Sequence, residues 1–154
     1  MITENLQKLY QQHTGALADE IIEMPASGSN RRYFRLTGVQ SLIGVYGTSA
    51  EENEAFLYMA DHFKKKNLPV PQVHCVSDDK LFYLQEDLGD TLLFHAIEKG
   101  RITNSFSEEE KELLRKTIRL LPAIQFAGAE GFDFNHCYPQ PEFNQRSILW
   151  EIGR

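Results

Sequence analysis

The stretch Ser27-Gly28-Ser29-Asn30-Arg31-Arg32-Tyr33-Phe34-Arg35-Leu36 sets small and polar residues directly before two arginines. Small residues let backbone amides approach an anion closely, and a guanidinium binds phosphate oxygens bidentately. The stretch therefore suits a phosphate cradle, with Ser27, Gly28, Ser29 and Asn30 as its wall. The plain alternative is a hairpin turn with a charged edge, since a single glycine does not distinguish the two.

Strand alternation from Arg32 to Thr37 puts Arg31, Tyr33 and Arg35 on one face and Arg32 on the other, beside Phe34 and Leu36. Two guanidiniums thus share one side of the sheet.

The elements that must position them follow from periodicity. A short helix is expected from Glu4 to about His13, then a strand over Ile21–Met24 ended by Pro25. The run Arg32–Thr37 and the run Ser41–Tyr46 have strand character and are separated by a turn at Gly38, which predicts a three-stranded antiparallel meander. Ser49 and Glu52 have the spacing of a capping box, and Phe56, Met59, Ala60 and Phe63 recur at helical intervals, which predicts a helix over 50–66. Lys64, Lys65 and Lys66 fall in its last turn, where positive charge complements the helix dipole.

Pro69 and Pro71 precede two more strand-like segments, Val73–Val76 and Leu81–Gln85, with Asp78-Asp79 as the turn between them. Beyond residue 90 the pattern is helical: Leu92–Lys99 with Gly100 as its stop, a helix capped by Ser107 and Glu110 through about Phe126, and an amphipathic stretch Phe143–Ile152. The last stretch is still running at Arg154, and Trp150 with Phe143, Ile148 and Leu149 forms a face expected to meet a further lobe or, failing that, to drive dimerisation.

The 154 residues suit one core, or one lobe and part of a second. A net charge of −6 argues against nucleic acid as the main partner. No signal-peptide pattern and no long apolar run is present, which predicts a cytoplasmic chain without a membrane partner. Cys75 and Cys137 suggest reduced thiols rather than a disulfide framework. The pairs His74-Cys75 and His136-Cys137 lack zinc-ligand spacing, so separate packing roles are expected.

The order of elements, together with SGSNRRYFRL at the first turn, ENEAF opening the long helix, NLPVPQV before the fourth strand and YLQEDLGD after the fifth, resembles the aminoglycoside phosphotransferase and choline kinase family. Within it, the chain is most similar to the bacterial branch acting on amino sugars such as N-acetylmuramate. The resemblance implies an α+β fold. Residues 1–90 would form a kinase-like small lobe, a five-stranded antiparallel sheet with one long helix and the hinge, and residues 91–154 the first helices of the large lobe.

It also implies ATP as cofactor. The backbone of Glu86, Asp87 and Leu88 would meet adenine, and the loop from Ser27 to Asn30 would face the phosphates. Kinase-like lobes carry a third-strand lysine paired with a glutamate of the following helix. No lysine occurs here between Lys8 and Lys64, and Val45, Tyr46 or Gly47 stand where it would fall. Arg31 or Arg35 is the expected substitute. Glu52, on the inward helix face, ranks ahead of Glu54 as its partner, although the capping box competes for the same carboxylate.

The family's catalytic loop, H-x-D-x-x-x-x-N, is missing: none of His13, His62, His74, His95 and His136 is followed two positions later by aspartate. Asp87-Leu88-Gly89 is assigned to the hinge and its carboxylate to solvent or capping. The expectation is an N-terminal fragment of a sugar or amino-sugar phosphotransferase, inactive alone, with Mg²⁺ and the acceptor sugar engaged only once a C-terminal lobe is present. The alternative is a non-catalytic nucleotide-sensing or protein-interaction module.

Overall fold

The computed structural model describes residues 1–25, 28, 30–142 and 144–153. Ser27, Ser29 and Phe143 lie outside the described residues, as does the Trp150 side chain.

Five strands form one antiparallel sheet: β1 (Glu20–Glu23), β2 (Arg32–Thr37), β3 (Leu42–Tyr46), β4 (Val73–Val76) and β5 (Phe82–Glu86), in the order β1-β2-β3-β5-β4. The first three are the expected meander, with Ile21 opposite Leu36 and Phe34 opposite Gly44. β5 then inserts between β3 and β4, Leu42 standing opposite Glu86 and Tyr46 opposite Phe82.

Because strand side chains alternate, the sheet has two apolar faces, and each needs a cover. Helix α1 (Ile2–Thr14) covers one with Leu6, Leu9 and Tyr10, packed on Phe34, Leu36, Leu42, Phe82 and Leu84. Complete burial of such a side chain stabilises by about 1.5–3 kcal/mol. Helix α2 (Ala50–Lys65) covers the other, with Phe56 and Leu57 against Ile43, Val45 and Tyr83. The Phe56 and Tyr83 rings stack at 5.2 Å.

The inward face of α2 differs from the expected one at two places. Met59 is 39% exposed, while Asn53 is fully buried. Burial of Asn53 is possible because its amide is satisfied: Nδ2 donates to the Lys80 carbonyl at 2.8 Å, and Oδ1 accepts from Arg31.

Beyond β5 the chain is helical, as expected, but the boundaries change. The helix foreseen over Leu92–Lys99 is two short ones, α3 (Leu93–Ala96) and α4 (Glu98–Thr103). Gly100 does not stop a helix; it lies inside α4, where the Phe106 ring fills the space a side chain would need. The stop is Asn104, left-handed at φ 53°. Helix α5 (Glu108–Pro122) has the complete capping box of Ser107 and Glu110, and the Glu110 carboxylate also accepts the Gly100 N–H at 2.8 Å. It continues as a π-helical turn, Ala123–Ala127. α6 (Gln145–Ile152) leaves Ile148, Leu149 and Ile152 exposed.

The segment 128–136 returns to α2. His62 Nε2 meets the Gly128 carbonyl at 2.9 Å, the Asp133 N–H donates to the Tyr58 hydroxyl at 3.1 Å, and the His136 ring stacks on Tyr58 at 4.0 Å. His74 packs instead on His13, so the two His-Cys pairs have separate roles. Among the described residues no helix is long and apolar enough to cross a membrane.

Candidate nucleotide site

The loop between β1 and β2 is closed at its base by the Met24 N–H, which donates to the Tyr33 carbonyl at 2.8 Å. Gly28 has φ 68° with open space around it, so glycine serves the backbone conformation here rather than a packing need. Asn30 is exposed at the same turn.

Arg31 leaves this loop and reaches the first turn of α2. Its Nη2 lies 3.1 Å from Glu52 Oε1 and 3.2 Å from the Glu52 carbonyl, Nε donates to Asn53 Oδ1 at 3.3 Å, and the guanidinium sits 5.2 Å from the centre of the Phe56 ring. The side chain is only 16% exposed. Among Glu52 and Glu54, the structure brings Glu52 to the arginine and leaves Glu54 exposed.

The contest between capping and pairing is settled by dividing Glu52. Its backbone N–H donates to Ser49 Oγ at 3.2 Å, so the Ser49 cap holds, while its carboxylate turns to Arg31. The helix start is kept by one half of the box. The other half is spent on the ion pair.

Val45, where a lysine was sought, is fully buried under Phe56 and Leu57. An ammonium there would be taken out of water among apolar side chains. Tyr83 lies beside Val45 in the same cluster, and burial pushes its hydroxyl pKa up despite the pull of Arg31.

Arg35 does something else. Nε and Nη2 donate to Asp87 Oδ2 and Oδ1 at 2.9 and 3.2 Å, and Nη1 and Nη2 donate to Asp90 at 3.0 and 2.8 Å. These hydrogen bonds raise its already high pKa. Arg31 and Arg35, expected as interchangeable candidates on one strand face, are thus separated: one joins the loop to α2, the other holds the connector after β5.

Asp87 is correspondingly neither a solvent-facing nor a helix-capping group. Burial pushes its pKa up, but the Ser41 hydroxyl at 2.6 Å, the Gly89 N–H at 2.9 Å and Arg35 outweigh burial and hold the carboxyl below its usual range. Glu86 is also engaged, its N–H donating to the Gln72 carbonyl at 2.8 Å and its carboxylate accepting the Gln72 N–H at 3.2 Å. The Leu88 side chain is exposed.

Sequence reasoning missed Asn53 and Gly47. A Cβ on Gly47 would lie 2.4 Å from Asn53 Oδ1, so the asparagine that orients Arg31 packs directly on the residue after β3. The available signal was a polar residue on the apolar stripe of α2. Among the described residues no group of three or more His, Cys, Asp or Glu side chains could hold a metal ion. No protein-family model matches the chain, and no curated protein matches its sequence.

Proposed function

We propose that the chain is the ATP-binding N-terminal portion of a small-molecule phosphotransferase acting on a sugar or amino-sugar hydroxyl. The observation that carries this reading is the pair of Arg31 and Glu52: a cation at the mouth of a glycine-containing loop, held by the opening glutamate of the helix that covers the sheet. It performs the task of a strand lysine from a different place in the chain. Arginine suits it, because a guanidinium can keep one edge on a carboxylate and turn another to phosphate.

In this reading the main chain of Asp87 and Leu88 meets the adenine edge, and the amides around Gly28 and Asn30 meet the phosphates. Arg35 fixes the hinge by holding Asp87 and Asp90. The H-x-D-x-x-x-x-N pattern that would supply the base and Mg²⁺ ligands does not occur in the sequence, so in this reading phosphoryl transfer requires a further lobe. The exposed Ile148, Leu149 and Ile152 offer α6 a surface for such a lobe or for a second copy.

The test is calorimetric titration of ATP and of adenosine into the wild-type chain and Arg31→Ala. Saturable ATP binding that weakens about tenfold in the variant, with adenosine unchanged, supports the reading; a tenfold change is about 1.4 kcal/mol. No ATP binding, or equal ATP affinity in both proteins, overturns it. The apolar packing of Val45 favours a second reading, a nucleotide-sensing module without catalysis. It predicts ATP binding but no phosphorylated sugar even when a kinase-type C-terminal lobe is supplied in trans.

A further inference from the structure

The later turns of α2 face β4 across an open groove of about 560 Å³, lined by Leu57, Ala60, Lys64, Lys65, Val73 and Val76 among others. Leu57, Ala60, Val73 and Val76 give it an apolar stretch, while Asp61, Lys64, Lys65, Asn67 and His74 make the rest of its lining polar. The volume falls within the range of about 300–1,000 Å³ typical of small-molecule sites.

The charges at the rim are unequal. Lys65 Nζ is 2.5 Å from Asp61 Oδ2 and is neutralised on its own helix. Lys66 is held by Glu130 at 3.1 Å. Lys64 has no partner among the described residues. His74, on the β4 side, has its pKa pushed down by burial and by the neighbouring His13 and Lys64, so it adds no charge at neutral pH. The Lys64 charge is thus left uncompensated beside the apolar stretch of the groove.

β4 is an edge strand, and an edge could also recruit a strand from another protein. The register of β4 against β5 shifts between Val73 and Cys75, a bulge of the kind that interrupts continuous edge pairing. The groove is thus better shaped for a small ligand than for an added strand.

We propose that this groove binds a small amphipathic monoanion, an organic carboxylate on an apolar chain, with the carboxylate at Lys64 and the chain lying along Leu57, Ala60, Val73 and Val76. The site is independent of the nucleotide reading and uses none of its residues.

Octanoate and octylamine serve as probes, titrated by calorimetry into the wild type, Lys64→Glu and Ala60→Trp. The wild type binds octanoate saturably and octylamine at least about tenfold more weakly; Lys64→Glu reverses that preference, and Ala60→Trp, which fills the groove, loses both. Amide chemical shifts in the wild type then move within 57–76. Absence of saturable octanoate binding, equal octanoate affinity in wild type and Lys64→Glu, or shifts confined to α5 and α6 would overturn the proposal. Lys64 is exposed on the helix surface, so the charge reversal remains decisive if Ala60→Trp fails to fold.

Discussion

Gly47 and Asn53 are fitted to each other: a Cβ on the glycine would stand 2.4 Å from Asn53 Oδ1 and 2.6 Å from Nδ2. The amide it would displace is fully buried and holds both the Lys80 carbonyl and Arg31. Gly47→Ala should therefore destabilise by about 1–3 kcal/mol, the usual cost of overpacking a filled site. Asn53→Ala should cost about as much, by leaving buried partners without a hydrogen bond. The two losses share a cause, so the double variant should be less unstable than their sum in urea denaturation. Strict additivity would show that the two residues do not meet.

Arg31 and Glu52 form the ion pair, but the arginine has more to lose. Arg31→Ala removes the contacts to the Glu52 carbonyl, Asn53 and the Phe56 ring as well as the carboxylate. Glu52→Ala removes the carboxylate alone, because the Ser49 cap uses the backbone N–H. The arginine variant should be the less stable, with a coupling energy in the double-mutant cycle of about 0.5–1 kcal/mol, as for a partly exposed pair. Arg31→Lys should recover only part of the loss, since an ammonium cannot span these acceptors at once.

Why Arg31 was legible only as one of two candidates follows from the period of a strand. Alternation places Arg31 and Arg35 on one face, but it does not say which lies beside the helix and which beside the connector. That depends on β5 entering between β3 and β4, a non-local pairing that brings Asp87 and Asp90 to Arg35 across more than fifty residues. The local signals did place the strands and α2 to within a residue or two, because each is announced by its own periodicity and caps. Met59, expected inward, is exposed and Asn53 is buried instead, because hydrophobic spacing does not show that a buried amide will find partners at Lys80 and Arg31.

The Asp87 carboxyl gives the chain an acid-sensitive joint. Its pKa is lowered in the folded state, so the native protein binds fewer protons there than the unfolded chain. Its contribution is complete above the unfolded value of about 3.9 and is lost as pH falls through the lower folded value. The urea midpoint of the wild type should fall more steeply than that of Asp87→Asn as pH drops below about 4. Ser41→Ala, which removes the 2.6 Å hydrogen bond alone, should lie between them. Parallel curves for wild type and Asp87→Asn would sink the assignment.

Helix propensity and packing make opposite predictions at Gly100, which makes it a sharp test of the helical region. In the interior of a helix, alanine is favoured over glycine by about 1 kcal/mol. Here, however, a Cβ would lie 2.2 Å from Phe106 Cδ1, and the helix is fixed in place by the Gly100 N–H donating to the buried Glu110 carboxylate. Neither partner can retreat without breaking the capping box that starts α5. Gly100→Ala should therefore destabilise, by about 1–3 kcal/mol of overpacking set against that smaller gain. In a Phe106→Ala background the obstacle is gone and the sign should reverse, the same substitution becoming neutral or stabilising in thermal unfolding. A stabilising Gly100→Ala with Phe106 still in place would mean that the α4–α5 corner is not packed as described.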